Sequence, residues 1–294
     1  MFYRRKIILA LLQLFDGQLD KLRLQKLLFL FTNRQAKAGY DFIPYKYGCF
    51  SYSAYADLTV MVKKDMLAET ETFFEKTDPI GYLEQLKPDD RKLMMEVKAL
   101  YSNMSTTALI KHTYINFPFY AIKSEVAEKI LNKEELEKVN EARPKEEKTV
   151  LFTIGYEGIS LEEYLVRLLK HDVKVLVDVR NNPLSMKYGF SKSQLKKYCA
   201  GIGIDYVHIP EVGIQTEQRQ QLNTQSDYDS LFDMYRNNIL TGTIEYQEKI
   251  LQLLKQYKRI ALTCFEANIN QCHRKHLAEA VSKLAMNTYD IKHI

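Results

Sequence analysis

Arg259-Ile260-Ala261-Leu262-Thr263, running into Cys264-Phe265-Glu266-Ala267-Asn268-Ile269-Asn270-Gln271-Cys272-His273-Arg274, is the stretch on which the fold turns. Its first five residues read as a buried strand, and a helical pattern begins around Lys275. A thiol, a carboxylate, a second thiol, an imidazole and a guanidinium therefore fall within one strand-to-helix junction. In an open α/β sheet, ligands bind outside the carboxyl ends of the strands. The free N–H groups of a helix N-terminus at that place favour anions. The junction is a candidate site.

The same alternation extends outward. Val150-Leu151-Phe152-Thr153-Ile154 is a buried strand ending in Gly155-Tyr156-Glu157-Gly158, after which Leu161, Tyr164, Leu165 and Leu168 repeat at helical spacing. Val173-Lys174-Val175-Leu176-Val177 is a second strand, closed by Asp178-Val179-Arg180-Asn181-Asn182-Pro183. A helix with Leu195 and Tyr198 follows Ser191, then a short strand, Asp205 to Pro210, and a mostly helical excursion to about Gln256. Tyr289 to Ile294 is a last strand. This order predicts an α/β domain with a mostly parallel sheet flanked by helices. Three strand ends would then bring Glu157, Asp178 with Arg180, and the Cys264–Arg274 cluster to one rim.

The first part of the chain is different. Residues 1–131 read as a helix-rich domain. Ile8, Leu11, Leu12 and Phe15 share a helical face, Leu22 to Phe31 forms a very apolar helix, and Gly39 to Ser51 is turn-prone and aromatic. A third helix is expected from Ser53 to Leu67, with Tyr55, Leu58, Val62 and Leu67 facing the core. Packing is the first reading of the aromatic residues. The second is a winged-helix-like surface whose Lys and Tyr residues follow a phosphate backbone. Residues 132–148 form a charged, proline-containing helix end and linker, and residues 149–294 form the α/β domain.

Composition narrows the class. The chain has 294 residues, 46% hydrophobic and 27% charged, with a net charge of +5. These are values of a globular protein with room for two domains. No apolar run approaches the roughly 20 residues that span a bilayer. The apolar N-terminus is broken by Gln13 and Asp16 and is read as a first helix, not a signal peptide. Cys49, Cys199, Cys264 and Cys272 are unevenly placed and suggest no disulfide framework, so a reducing cytoplasm is expected. The mild basic bias permits a nucleic-acid partner.

Four motifs in order, TIGYEG, DVRNNPLSMKYGFSK, YVHIPEVG and LTCFEANINQCHR, make residues 149 to 294 resemble the domain-of-unknown-function family four-eight-eight. Carried over by position, the family's polar residues fall on Tyr156, Glu157, Asp178, Arg180, Pro183, Ser185, Cys264, Glu266, Cys272, His273 and Arg274. The resemblance implies a setting of mobile elements, restriction and phage defence. The family commonly has a glycine pair after the YVHIP strand, where this chain has only Gly213. In the first part, LQKLLFLF followed by YKYGCFS resembles the Panacea-type module of antitoxin and phage-associated proteins over about 50 residues.

Each candidate residue has a bland and a sharp reading. Glu157 is a turn carboxylate or a catalytic acid. Asp178 and Arg180 are an internal pair, or an acid or base beside a bidentate phosphate clamp. Cys264 is a small buried hydrophobe or a nucleophile. Cys272, at a helix start beside cations, would have its thiol pKa lowered. His273 and Arg274 lock a loop or supply donors. Cys264, Cys272 and His273 could supply three zinc ligands, but no C-x2-C pair accompanies them, and neither metal nor cofactor is expected. A rhodanese-like thiol transferase is an alternative, weakened by the nine residues between Cys264 and Arg274, which cannot form a short anion cradle. No third glycine completes a dinucleotide fingerprint at Gly201 and Gly203, and no P-loop or serine elbow is present.

The favoured expectation uses the carboxylates. Glu157, Asp178 and Glu266, with Cys264 and His273, would form the catalytic set of a defence-type hydrolase that cleaves the bond between a (modified) base and its sugar. Tyr156, Arg180, Ser185, Cys272 and Arg274 would hold substrate or phosphate. Partners would be nucleic acid, DNA foremost, and a protein through the N-terminal domain, with no membrane. The rival is a non-catalytic, antitoxin-like DNA- or protein-binding module whose charged residues are satisfied internally.

Overall fold

A computed structural model describes residues 1–215, 222 and 224–294. The chain divides into two units, residues 1–143 and 144–294.

In the first unit, α1 (Tyr3–Leu14) and α2 (Lys21–Thr32) are joined by β1 (Gln18–Asp20). Asp20 starts α2 by accepting the N–H groups of Leu22 and Arg23. Ile7 through Leu12 and Leu24 through Phe31 are buried without a break. Both helices are thus wrapped by the rest of the unit. The aromatic segment forms a hairpin, β2 (Ile43–Tyr45) with β3 (Gly48–Phe50), before α3 (Tyr52–Val62), β4 (Leu67–Glu69) and β5 (Phe73–Lys76). The order α1-β1-α2-α3-β4-β5, with an antiparallel sheet β1-β5-β4, is the winged-helix arrangement with a hairpin inserted before α3.

Two details differ from the sequence reading. The third helix stops at Val62 because Asp65 takes a positive φ of 54° and Leu67 enters a strand. Tyr55 is exposed, its ring tilted against Phe50 rather than sunk in the core. The β4–β5 hairpin also carries Glu69, Glu71 and Glu75, all exposed. The unit ends with α4 (Pro88–Tyr101), α5 (Thr106–Asn116), α6 (Ala127–Ile130) and α7 (Lys133–Glu141). Much of the charged stretch is therefore helical, begun by a capping box between Asn132 and Glu135.

The second unit contains β6 (Val150–Gly155), α8 (Leu161–Lys170), β7 (Val175–Asp178), α9 (Lys192–Gly201), β8 (Asp205–His208), α10 (Gln225–Met234), α11 (Ile244–Tyr257), β9 (Arg259–Cys264), α12 (Arg274–Leu284) and β10 (Asp290–His293). The strands form one sheet, ordered β10-β6-β9-β7-β8, with every pairing parallel. Helices flank it. The central strands β6, β7 and β9 are buried at every residue, which is why they read as continuous apolar runs. Side chains alternate across β9. Ile260 and Leu262 pack with Ile250, Leu254 and Leu277 from α11 and α12. On the other face, Tyr164 of α8 donates its hydroxyl to Thr263 at 2.7 Å. The helical excursion before β9 is present as α10, a π-helical segment and α11, apart from residues 216–221 and 223, which lie outside the described residues. No helix among the described residues is long and apolar enough to cross a membrane.

Candidate functional site

The central strand sets the geometry of the rim. In the ladder, Cys264 at the end of β9 stands opposite Gly155 at the end of β6, and Thr263 stands opposite Asp178 at the end of β7. Three motifs far apart in sequence therefore share one edge. The chain leaving β9 then folds back over the end of β6. The N–H groups of Tyr156 and Glu157 both donate to the carbonyl of Phe265, at 3.1 and 2.9 Å. Only glycine tolerates this approach, because a Cβ on residue 155 would lie 1.9 Å from the carbonyl oxygen of Glu266. Gly213 has a similar role below Asn181, whose backbone N would sit 2.4 Å from an added Cβ.

Two charged residues fasten this loop. Arg274, buried at the start of α12, donates Nη1 to the Glu266 carbonyl at 2.5 Å and Nη2 to the Ala267 carbonyl at 3.3 Å. Glu157, exposed, accepts the Ala267 N–H at 2.9 Å through Oε2. Glu266 sits half-buried between them, with its carbonyl held by Arg274.

Asp178 and Arg180 form a bidentate pair inside the rim. Arg180 donates Nε to Oδ1 at 2.8 Å and Nη2 to Oδ2 at 2.5 Å, while Tyr206 donates to the same Oδ2 at 2.6 Å. Nη1 is divided between the Tyr156 hydroxyl at 2.8 Å and the Phe190 carbonyl at 2.9 Å. Burial opposes the Arg180 charge, but the bonds and charge of Asp178 prevail and hold its pKa above the ordinary value. The same environment raises the Tyr206 hydroxyl, through burial first and Asp178 second. Both members are almost fully buried, and their donors and acceptors are directed at one another. Tyr156 is stacked on Phe190, with ring centroids 4.2 Å apart.

Cys264, Cys272 and His273 converge although seven residues lie between the two cysteines. A short 3-10 turn, Ile269–Gln271, carries the chain back so that Cys272 and His273 open α12. His273 Nδ1 lies 3.8 Å from Cys264 Sγ and 4.0 Å from Cys272 Sγ. Its Nε2 lies 3.2 Å from the Val179 carbonyl, which can only accept, so the ring proton belongs on Nε2 and the Nδ1 lone pair faces the thiols. All three ligand atoms lie within 4.8 Å of one another, and all three residues are buried. The expectation that the helix start would lower the Cys272 pKa does not hold. Burial pushes this thiol well above its ordinary value, with Cys264 and Glu266 adding to the effect and Arg274 opposing it. Complete burial outweighs one cation and a helix end.

A cavity of about 290 Å³ opens at this rim, lined by Tyr156, Arg180, Asn181, Asn182, Ser185, Ile214 and Cys264 together with Leu184, Met186 and Phe265. Phe265, Leu184 and Met186 are the exposed apolar members of this lining. Leu184 is 75% exposed and Met186 fully exposed. From Asn181 to Gly201 the chain carries Lys187, Lys192, Lys196 and Lys197 and no acidic residue. Lys187 donates to the Tyr156 carbonyl at 2.6 Å, and burial lowers its pKa. A larger cavity of about 980 Å³ lies in the first unit, lined by residues of α1 and α4 including Tyr3, Arg4 and Asp90, and contains neither thiol nor imidazole.

Of the residues singled out in the sequence, Tyr156, Arg180, Ser185 and Cys264 line this cavity. Asp178, Cys272, His273 and Arg274 lie behind its wall in the buried rim, and Glu157 and Glu266 belong to the folded-back loop. Sequence reasoning passed over Asn181, Asn182, Leu184, Met186 and Phe265. The acid-free lysine run was the one signal that could have drawn attention to their segment.

The second unit is thus an α/β domain with a parallel sheet and a cavity of mixed polar and apolar lining at the carboxyl ends of its strands. Residues 160–281 match the family described as Domain of unknown function DUF488. No curated protein and no solved structure matches the chain.

Proposed function

We propose that the second unit acts on a nucleobase turned out of a nucleic-acid strand and accommodated in the rim cavity, with hydrolysis of the base–sugar bond as the reaction. One observation carries this reading: a small cavity whose lining includes two carboxamides, Asn181 and Asn182, and the exposed Leu184 and Met186 belongs to a stretch that holds four lysines and no acid. Carboxamides read base edges through paired donors and acceptors. The exposed apolar side chains are the wedges that hold a strand open, and the lysines of this stretch supply the phosphate footprint. Phe265 offers an aromatic face for stacking.

Within this reading the carboxylate roles are redistributed. Asp178 is the counter-ion that holds Arg180 at the cavity wall. Glu157 and Glu266, on the folded-back loop, are the carboxylates left to stabilise an oxocarbenium-like state or to activate water. Nucleic-acid contact is assigned to the second unit, because the β4–β5 hairpin of the winged helix presents Glu71 and Glu75, beside a Glu69 already paired with Lys21, where phosphates would meet like charge. A protein partner suits that unit better.

A second reading, a non-catalytic binding module, draws support from the internal pairing of Asp178, Arg180 and Arg274. One experiment separates the two. The protein is incubated with unmodified and phage-modified DNA, and free base and abasic sites are measured. Released base supports the enzyme. Binding without release supports the module, and neither binding nor release from any strand rejects the nucleic-acid proposal altogether.

A further inference from the structure

We propose that Cys264, Cys272 and His273 hold a single zinc-class metal ion at the cavity wall, with a fourth position open to water or to a guest. The inference concerns these residues alone and does not depend on the guest being a nucleobase.

The distances suit the ion. Zinc binds thiolate sulfur at about 2.3 Å and imidazole nitrogen at about 2.0–2.1 Å, so a tetrahedral centre places sulfur and nitrogen about 3.6 Å apart. The Cys264 and Cys272 sulfurs lie 3.8 and 4.0 Å from His273 Nδ1, within a few tenths of an ångström of that arrangement. The imidazole is also prepared. Metal-bound histidines usually donate their other ring N–H to a carboxylate or backbone carbonyl, which fixes the tautomer and orients the ring. His273 makes this bond through Nε2 to the Val179 carbonyl. Tyr235 packs edge-on against the His273 ring at 5.4 Å, and its hydroxyl is tied to the Val212 carbonyl at 2.7 Å. The ring is therefore clamped from two directions.

The donor set selects the ion. Two thiolates with one imidazole favour zinc over the oxygen-seeking magnesium and calcium. Three protein ligands with an open position is the pattern of zinc sites that present water or substrate, whereas a purely structural site closes with four. Among the described residues the trio contains three ligands, and Cys264 also forms part of the cavity wall. A zinc-bound water there would have its pKa lowered toward neutrality. Sequence spacing hides the site, because its two thiols are eight residues apart and meet only through the turn at Ile269–Gln271.

The test uses the full chain, purified without chelator. Elemental analysis should find about one zinc per chain. Removal of zinc and addition of Co2+ should give the intense visible bands and thiolate charge transfer of a tetrahedral thiolate site. Cys272→Ser and His273→Ala should each weaken Co2+ binding by about 100-fold or more, beyond the 10–100-fold that loss of an outer-shell partner costs. Cys199→Ser, which alters a buried cysteine outside the trio, should retain wild-type stoichiometry. Thiol alkylation with mass readout, on folded protein with and without Zn2+, covers the case in which His273→Ala does not fold. Zinc should slow labelling of Cys264 and Cys272 but not of Cys49. Absence of metal together with no Co2+ spectrum, unchanged affinity in Cys272→Ser, or recovery of a Cys264–Cys272 disulfide each overturns the proposal. Metal bound without base release would retain this site while rejecting the nucleobase reading.

Discussion

Replacing Asp178 with asparagine removes the anion from a pair that has almost no contact with water. Asp178 is fully buried and Arg180 is 5% exposed. Three side-chain donors converge on the carboxylate: Arg180 Nε, Arg180 Nη2 and the Tyr206 hydroxyl. The carboxamide has a single acceptor oxygen and two N–H donors of its own. At least one of the three donors loses its acceptor, and the guanidinium loses its counter-charge. Breaking a buried pair from one side costs about 3–5 kcal/mol. For a unit of this size each kcal/mol shifts Tm by about 2–4 °C, so Asp178→Asn should melt roughly 6–20 °C below wild type. Thermal and urea melts of the full chain by far-UV circular dichroism measure this. Glu157→Gln is the comparison, an exposed residue that retains an acceptor for the Ala267 N–H, and should stay within about 0.5 kcal/mol. Adding Arg180→Met to Asp178→Asn should recover part of the loss, because the unpaired cation disappears with it. Asp178→Asn within about 1 kcal/mol of wild type would refute the description of this pair as a sealed, mutually dependent unit.

Gly155→Ala should destabilise the second unit by about 3 kcal/mol, read by urea melts, since its Cβ would collide with the Glu266 carbonyl; a neutral effect would mean the loop is not seated on β6. Burial lowers the pKa of His112, His171 and His293, so the unfolded chain takes up protons first as pH falls. Their contribution is therefore complete above about pH 6.5 and declines below it, and urea midpoints at pH 8 and pH 5.5 should show the loss, a flat profile counting against it. Leu184→Ser and Met186→Ser should leave Tm within about 2 °C of wild type. In gel-shift titrations both should weaken duplex binding by about tenfold, and unchanged binding would remove these side chains from the wedge role.

How much of this was legible beforehand differs between fold and site. Hydrophobic runs at 150–154, 173–177 and 259–263 mark the central strands because strands buried on both faces need no polar alternation. The N-terminal helices were legible for the same reason, whereas the end of α3 was not. Asp65 adopts a left-handed conformation that the helical pattern through Leu67 conceals. The polar residues of the rim were legible as a set. Their division of labour was not, because spacing along a strand does not reveal which donors a carboxylate will meet. Asp178 and Arg180 could equally have faced solvent; it is Tyr206 from β8 and Tyr156, the residue after β6, that close around them.

Residue order alone therefore determined that this chain ends in a parallel α/β unit and that chemically capable side chains occupy the carboxyl ends of its strands, since both follow from local periodicity and chain direction. Tertiary structure decided which of those side chains meet. Strand order β6-β9-β7 sets Cys264 between the ends of the YEG and DVR motifs, and a turn at Ile269–Gln271 returns Cys272 and His273 to it. Proximity of this kind depends on lateral sheet order and loop closure. Neither is encoded in any single window of sequence, and both arise only when the apolar faces of the whole unit are buried together.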